Sequence, residues 1–249
     1  MKNEDFAFHP DRVYSDLLKY CESDEGSSYA SFHKFRFSFM LRRIMPHVSV
    51  KMCIANIALS ILGPLMREEI EKKSAEYYCI ISGAEYLDVV RNASYSKIKK
   101  EVYDVTIAHD GDHEITLKYG MELFYETLEH LLAPDGLIPR NLTKFLNNGG
   151  LLLGSVPNAV KAERRLNFLL GRNIHWPKDA TVDGVFGGFG HIRAYTYSEV
   201  TELLSKEYKV LDKYRFSPYG SSKIRKVLNL LPNSWIAVIF FEARKKEKR

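Results

Sequence analysis

Residues 119–158 read YGMELFYETLEHLLAPDGLIPRNLTKFLNNGGLLLGSVPN, and they constrain the fold more than any other stretch. An apolar run, MELFY, is followed by an amphipathic segment, a Gly149-Gly150 turn and a second apolar run, LLLGSVPN. A strand, a helix and a second strand argue for parallel strands in one sheet with the helix as the crossover. Similar alternation extends outward. Strands are expected at Val48–Ile54, Tyr77–Ile81, Val102–Ala108, Met121–Tyr125 and Leu151–Val156, with helices at Glu85–Ala93 and Leu137–Leu146. The segment ANIALSILGPLM is expected to be helical until Pro64. This alternation predicts an α/β fold with a mostly parallel sheet covered on both faces.

The 249 residues are 45% apolar, enough for one large core. The net charge of +5 is a mild excess, part of it in the tail Arg244–Arg249, which reads as a solvated terminus. No basic face with interleaved aromatics can be assigned, so a nucleic-acid partner is not expected. Cys21, Cys53 and Cys79 form no C-x-x-C pair, which suits a reducing compartment. Residues 1–30 are polar, and no apolar run approaches the roughly 18 residues that span a bilayer. A cytoplasmic protein without a membrane partner is expected.

Residues 1–46 are expected to form an N-terminal helical extension or lid, and residues 47–249 the main domain. In the extension, 22–28 reads as a loop, and 29–45 as a helix carrying Phe32, Phe35, Phe39 and Ile44 with Lys34 and Arg36, stopped by Pro46. Residues 159–190 form an excursion rich in glycine and aromatics (Trp176, Phe186, Phe189) that reads as a lid. Thr196 and Glu199 have the spacing of a capping box and open a helix. The final strands, Lys209–Phe216 and Trp235–Glu242, are joined by a loop alone and should pair antiparallel.

The E-T-L-E-H-L segment after MELFY, and the pattern L-x-x-G-G-x-L-x-x-S-x-P-N over Leu146–Asn158, resemble the second half of class I S-adenosylmethionine (SAM) methyltransferases. Further on, Gly171-Arg172-Asn173 and H-x-R-x-Y-T over His191–Thr196 resemble a subgroup associated with surface-glycan and small-molecule biosynthesis. The resemblance implies a Rossmann-like, seven-stranded, mostly parallel sheet with an antiparallel C-terminal strand. It also implies SAM as cofactor and methyl transfer to a sugar or other small polar, glycan-related acceptor, in a homo- or hetero-oligomer.

The first half departs from that pattern. The family's first strand ends in an acid and a G-x-G-x-G loop, because the backbone there takes positive φ and must admit the cofactor. Placed in register, Cys53 stands for the acid, and Ala55, Ile57 and Leu59 for the glycines. A positive φ at Ile57 would cost about 1–3 kcal/mol. Where a ribose-binding acid is implied, the chain offers Ser82. Ala55, Ile57 and Ser82 are therefore the cofactor positions in which SAM binding is expected to be poor, and a catalytically inactive scaffold or partner subunit stands as the alternative function.

Other candidates sit on the carboxyl edge of the sheet. By resemblance, Tyr125 and Glu126 line the cofactor crevice, and Asp110 or Asp112 contacts the adenine amine. Glu129 and His130 either serve the crevice or simply open a helix, acid first. The cluster His109–Glu114 reads as a solvated loop rather than a metal site. His191 is a candidate general base for an acceptor hydroxyl, and Arg193 a clamp for an acceptor carboxylate or phosphate.

Overall fold

The computed structural model describes residues 8–21, 23–58, 60–81, 93–107, 117–131, 133, 136–174, 192–217, 227, 230 and 232–247. His191, Ser82, Asp110, Asp112, Leu59, the expected helix over 85–92 and the aromatics of the 175–190 excursion lie outside them.

Two helices precede the sheet. α1 (Pro10–Leu17) starts on a proline at its first turn, and α2 (Asp24–Ile44) is capped by Ser23, whose hydroxyl accepts from the Gly26 amide at 3.1 Å. The expected loop at 22–28 is thus largely helix: a serine cap followed by Asp24 and Glu25 favours the positive end of the dipole, and Arg42 and Arg43 close the other end. Ala30, His33, Phe37, Met40, Leu41 and Ile44 form the buried stripe of α2.

β1 runs over Cys53–Ile57, later than the expected 48–54. Its Ile54 pairs with Tyr77 on one side and Met121 on the other, so burial on both faces favours a strand where an apolar run alone read as a helix. α3 (Gly63–Glu71) then carries Pro64 in its first turn instead of ending there, since the missing N–H costs nothing in a first turn. β2 (Glu76–Ile81) falls where expected. After the single turn α4 (Ala93–Ser96), β3 covers Lys99–Val102 and not Val102–Ala108. There Asp104 turns the chain out of the sheet by accepting from the Thr106 amide (2.8 Å), and the Asn141 side chain donates to the carbonyls of Val105 (3.0 Å) and Ile107 (2.9 Å).

β4 (Tyr119–Tyr125), α5 (Leu137–Phe145) and β5 (Leu146–Pro157) realise the strand–helix–strand unit. α6 (Ala162–Leu169) follows, then α7 (Tyr197–Ser205) with the expected Thr196–Glu199 capping box, β6 (Tyr208–Phe216) and β7 (Val238–Lys245). The sheet order is β3-β2-β1-β4-β5-β7-β6. β7 is antiparallel to both β5 and β6, and the other pairings are parallel. Each face carries one apolar core. The first joins Leu17, Phe37, Leu41 and Ile44 of the N-terminal helices to Ile54, Met121, Leu123 and Phe240 of the sheet. The second joins Ala55, Phe124, Leu152 and Phe241 to α5 and α7. Among the described residues, no helix is long and apolar enough to cross a membrane.

Candidate functional site

The chain order reverses between β1 and β4, and the carboxyl ends of those strands form the crevice where open α/β sheets bind ligands. Both strands leave the sheet through a non-glycine residue in the left-handed region, Ala58 at φ 73° and Glu126 at φ 49°. Ala58 is held there by its amide, which donates to the Ile80 carbonyl at 2.9 Å, and by the Asn56 side chain, which donates to the Ala58 carbonyl at 2.7 Å. Thr127 joins the two turns, its hydroxyl lying 3.0 Å from the Tyr125 carbonyl and 3.4 Å from that of Ile57.

The turn at Ala58 corrects the first register. Ala55 and Ile57 lie inside β1 with 0% and 2% exposure, packed in the second core, and neither contributes to the turn. The positive φ that the glycine motif requires falls three residues after Ala55. Asn56 lies near the end of β1 and Ala58 makes the turn after it, with Ser60 and Leu62 following. The steric objection attached to Ile57 therefore disappears, because a β-branched residue is well suited to a strand.

At the end of β4, Glu126 is fully engaged. Its Oε1 accepts from the Ser155 hydroxyl at 2.7 Å and its Oε2 from Arg36 Nη1 at 2.9 Å, while its amide donates to the Ser155 carbonyl at 2.9 Å. Arg36 arrives from α2 and also donates to the Tyr29 hydroxyl at 2.9 Å. The Arg36–Glu126 pair is almost dry, with side chains 6% and 16% exposed. Beside Arg36, burial holds His33 down to about 3, so it is neutral near neutral pH.

Glu129 differs sharply. It is completely buried, and among the described residues neither carboxylate oxygen accepts a hydrogen bond. Burial, then the charge of Glu126, raises its pKa well above the usual carboxylate range, against the opposing pull of its own backbone amide and then of Arg36. Its carbonyl accepts from the amides of Ile192 (2.8 Å) and Arg193 (3.3 Å), which ties the segment before α7 to the β4 tip. His130 Nε2 is 3.9 Å from Glu129 Oε1.

Tyr125, Glu126 and His130 are thus brought together at the β4 tip. Arg193 reaches it through its backbone, whereas its guanidinium pairs with Glu199 at 3.0 Å and lies over the Tyr195 ring. Asn158 of the P-N pair is a strut: buried, it donates to the carbonyls of Ser234 (3.0 Å) and Ile236 (2.7 Å). Ala58, Thr127 and Ser155 escaped the sequence reading. A polar Asn56 closing an apolar run was the available signal for the turn, and the serine of S-x-P-N for the Glu126 partner.

No protein-family model matches the chain, and no curated protein sequence matches it significantly. Solved structures do. The N-methyltransferase NodS of Bradyrhizobium japonicum WM9, in complex with S-adenosyl-L-homocysteine (SAH), aligns with a TM-score of 0.55 at 13% identity over 94% of this chain and 99% of its own. A SAM-dependent methyltransferase of Methanosarcina mazei aligns at 0.55 with 14% identity over 83% and 98%. A chain from the complex between the Haloferax volcanii Trm112 methyltransferase activator and the putative methyltransferase aligns at 0.53 with 10% identity over 99% of both chains. The protein has the fold of the class I SAM-dependent methyltransferases, down to the reversed strand β7.

Proposed function

We propose that the protein is a SAM-dependent methyltransferase acting on a small polar acceptor in the cytoplasm, with a sugar as the first acceptor class to test. The left-handed turn at Ala58, seated between the ends of β1 and β2, carries this reading. A turn with positive φ at a residue no larger than alanine leaves room for a nucleoside where a longer side chain would fill it. The described residues that would hold the cofactor are Asn56, Ala58, Ser60 and, across the crevice, Thr127 and Glu129. When bound, SAM supplies a methyl group already activated by the sulfonium. What remains to the chain is to orient the acceptor and exclude water. Tyr29 and Arg36 of α2 cover the β4 tip on one side, and Ile192 and Arg193 approach it on the other. His191 remains the proposed base for an acceptor hydroxyl, and Arg193 the proposed contact for an acidic acceptor group.

A second reading, a methyltransferase-like scaffold or partner subunit without cofactor, is favoured by Leu62. This fully buried leucine, larger than alanine, follows the Ala58 turn. The solved assembly of the Trm112 activator with a putative methyltransferase supports a partner in that case. Isothermal titration separates the two readings: micromolar binding of SAM or SAH supports the enzyme, and no heat at millimolar ligand supports the scaffold.

A further inference from the structure

The first turns of α2 bridge the two strand tips that border the crevice. A Cβ at Gly26 would stand 3.8 Å from Ile61 Cδ1, just past the Ala58 turn, and further along the helix Arg36 meets Glu126 at the β4 tip. One side of this bridge faces α1 and its approach, where Lys34 pairs with Asp11 at 2.6 Å and Ser38 donates to the Phe8 carbonyl. At about 100° per residue, Tyr29, Phe32, His33 and Arg36 fall together on the opposite side. Their contacts agree with that placement. Arg36 donates Nη1 to Glu126 and Nη2 to the Tyr29 hydroxyl, both at 2.9 Å, so a single guanidinium separates Tyr29 from the β4 tip.

This stripe is aromatic and open, where a helix surface that only met water would be polar. Tyr29 is 42% exposed and Phe32 63%. The His33 ring lies between them, 4.2 Å from Tyr29 and 4.8 Å from Phe32, centre to centre. Its charges are already matched: Arg36 sits in a nearly dry pair with Glu126, and burial keeps His33 neutral. What the stripe offers a ligand is therefore the faces of its rings, and such faces take the face or edge of another ring. Small-molecule sites combine apolar and aromatic walls of this kind with a few converging polar groups, which here stand at the β4 tip.

We infer that Tyr29, Phe32 and His33 form a stacking platform for the methyl acceptor, and that the acceptor is a ring-bearing small molecule. The inference rests on the proposed cofactor and names the acceptor chemistry of that same crevice. One flat, apolar ring face is the requirement, supplied by the C–H groups of a sugar or by the π-system of an aromatic compound. Stacked on the stripe, such a ring turns its edge, and the polar group on that edge, toward the β4 tip. An acceptor without a ring gains nothing from Tyr29 and Phe32.

The test is an NMR titration of the full chain with methyl glucopyranoside, phenol and glycerol, beside calorimetric titration with SAH, on wild type, Phe32→Leu and Phe32→Trp. Wild type should bind at least one of the two rings saturably, at about millimolar concentration, and glycerol not at all. The tighter ring names the source: the glucoside a sugar acceptor, phenol an aromatic one. Phe32→Leu keeps apolar area but loses the ring face, and should weaken ring binding about threefold to tenfold. Phe32→Trp should bind the ring at least as well as wild type. Since Phe32 is largely exposed, both variants should keep SAH affinity within about twofold of wild type. Saturable binding of neither ring by wild type, equal ring affinity in Phe32→Leu, or glycerol binding as tight as a ring overturns the inference, and SAH binding then leaves the cofactor reading standing. An SAH loss in Phe32→Leu as large as its ring loss places Phe32 in the fold or the cofactor site and overturns the platform as well. Absence of SAH binding by wild type overturns the cofactor reading, and the acceptor role with it, whatever the rings do.

Discussion

Arg36 and Glu126 are 90 residues apart in sequence and 2.9 Å apart in space, and their ion pair fastens the N-terminal helix α2 to the tip of β4. Both side chains are nearly out of water, so the pair is strong only while complete. Arg36→Met should leave Glu126 buried with the Ser155 hydroxyl alone, at a cost of about 3–5 kcal/mol. The double variant with Glu126→Gln should recover much of that loss. Urea denaturation of the three variants measures both. Full additivity of the two single effects would show that the pair does not couple α2 to the sheet.

The turn after β1 makes a second prediction, opposite in sign at neighbouring residues. Ala58 sits at φ 73°, where an L-residue bears about 1–2 kcal/mol of strain, and glycine would relieve it at an entropic cost of about 0.5–1 kcal/mol. Ala58→Gly should therefore be neutral to mildly stabilising and should tighten SAM binding by widening the cradle. Ile57→Ala should cost about 2–5 kcal/mol, because Ile57 is a buried strand residue. Thermal melts with and without SAM separate these effects. Destabilisation by Ala58→Gly would show that the alanine methyl is packed rather than strained.

The contrast between those two residues explains what was legible beforehand. The strand–helix–strand unit over 119–158, the capping box at Thr196 and the antiparallel C-terminal pair were readable because periodicity, cap chemistry and connection length are local signals. The turn at Ala58 was carried only by the polar Asn56 in the mostly apolar run Cys53–Leu62, and only pairing to Tyr77 and Met121 fixes where the strand stops. Pro64 was misplaced for the same reason: a proline marks a helix boundary without saying which end. At the site, Glu126, Glu129 and His130 could be named from the sequence. That Arg36 of α2 engages Glu126 and not Glu129 is a long-range fact no local pattern carries.

Gly154 lies in β5 between Phe124 of β4 and Phe241 of β7. A Cβ there would collide with the Phe241 ring and with the backbone carbonyl of Phe124, which cannot retreat without breaking the ladder. Gly154→Ala should thus destabilise by about 1–3 kcal/mol or more through overpacking at the centre of the sheet, and Phe241→Leu should recover part of that loss in the double variant. Equilibrium unfolding of the set is the check. A stability equal to wild type for Gly154→Ala would mean that the three strands slide freely there.

Glu122, in the middle of β4, is fully buried, and among the described residues neither carboxylate oxygen is hydrogen-bonded; burial raises its pKa well above the ordinary value despite the nearby charges of Lys245 and Lys118. A raised pKa in the folded state means that the folded chain holds a proton which the unfolded chain has lost. Stability is therefore fully kept below the unfolded pKa near 4.5 and declines as pH climbs toward the folded value. Glu122→Gln removes that proton linkage while preserving shape. Its stability relative to wild type should be least at pH 4 and should rise steadily toward pH 8, as followed by urea unfolding across that range. A constant difference between the two proteins would show that Glu122 ionises in the fold as readily as in the unfolded chain, and that Lys245 and Lys118 outweigh its burial.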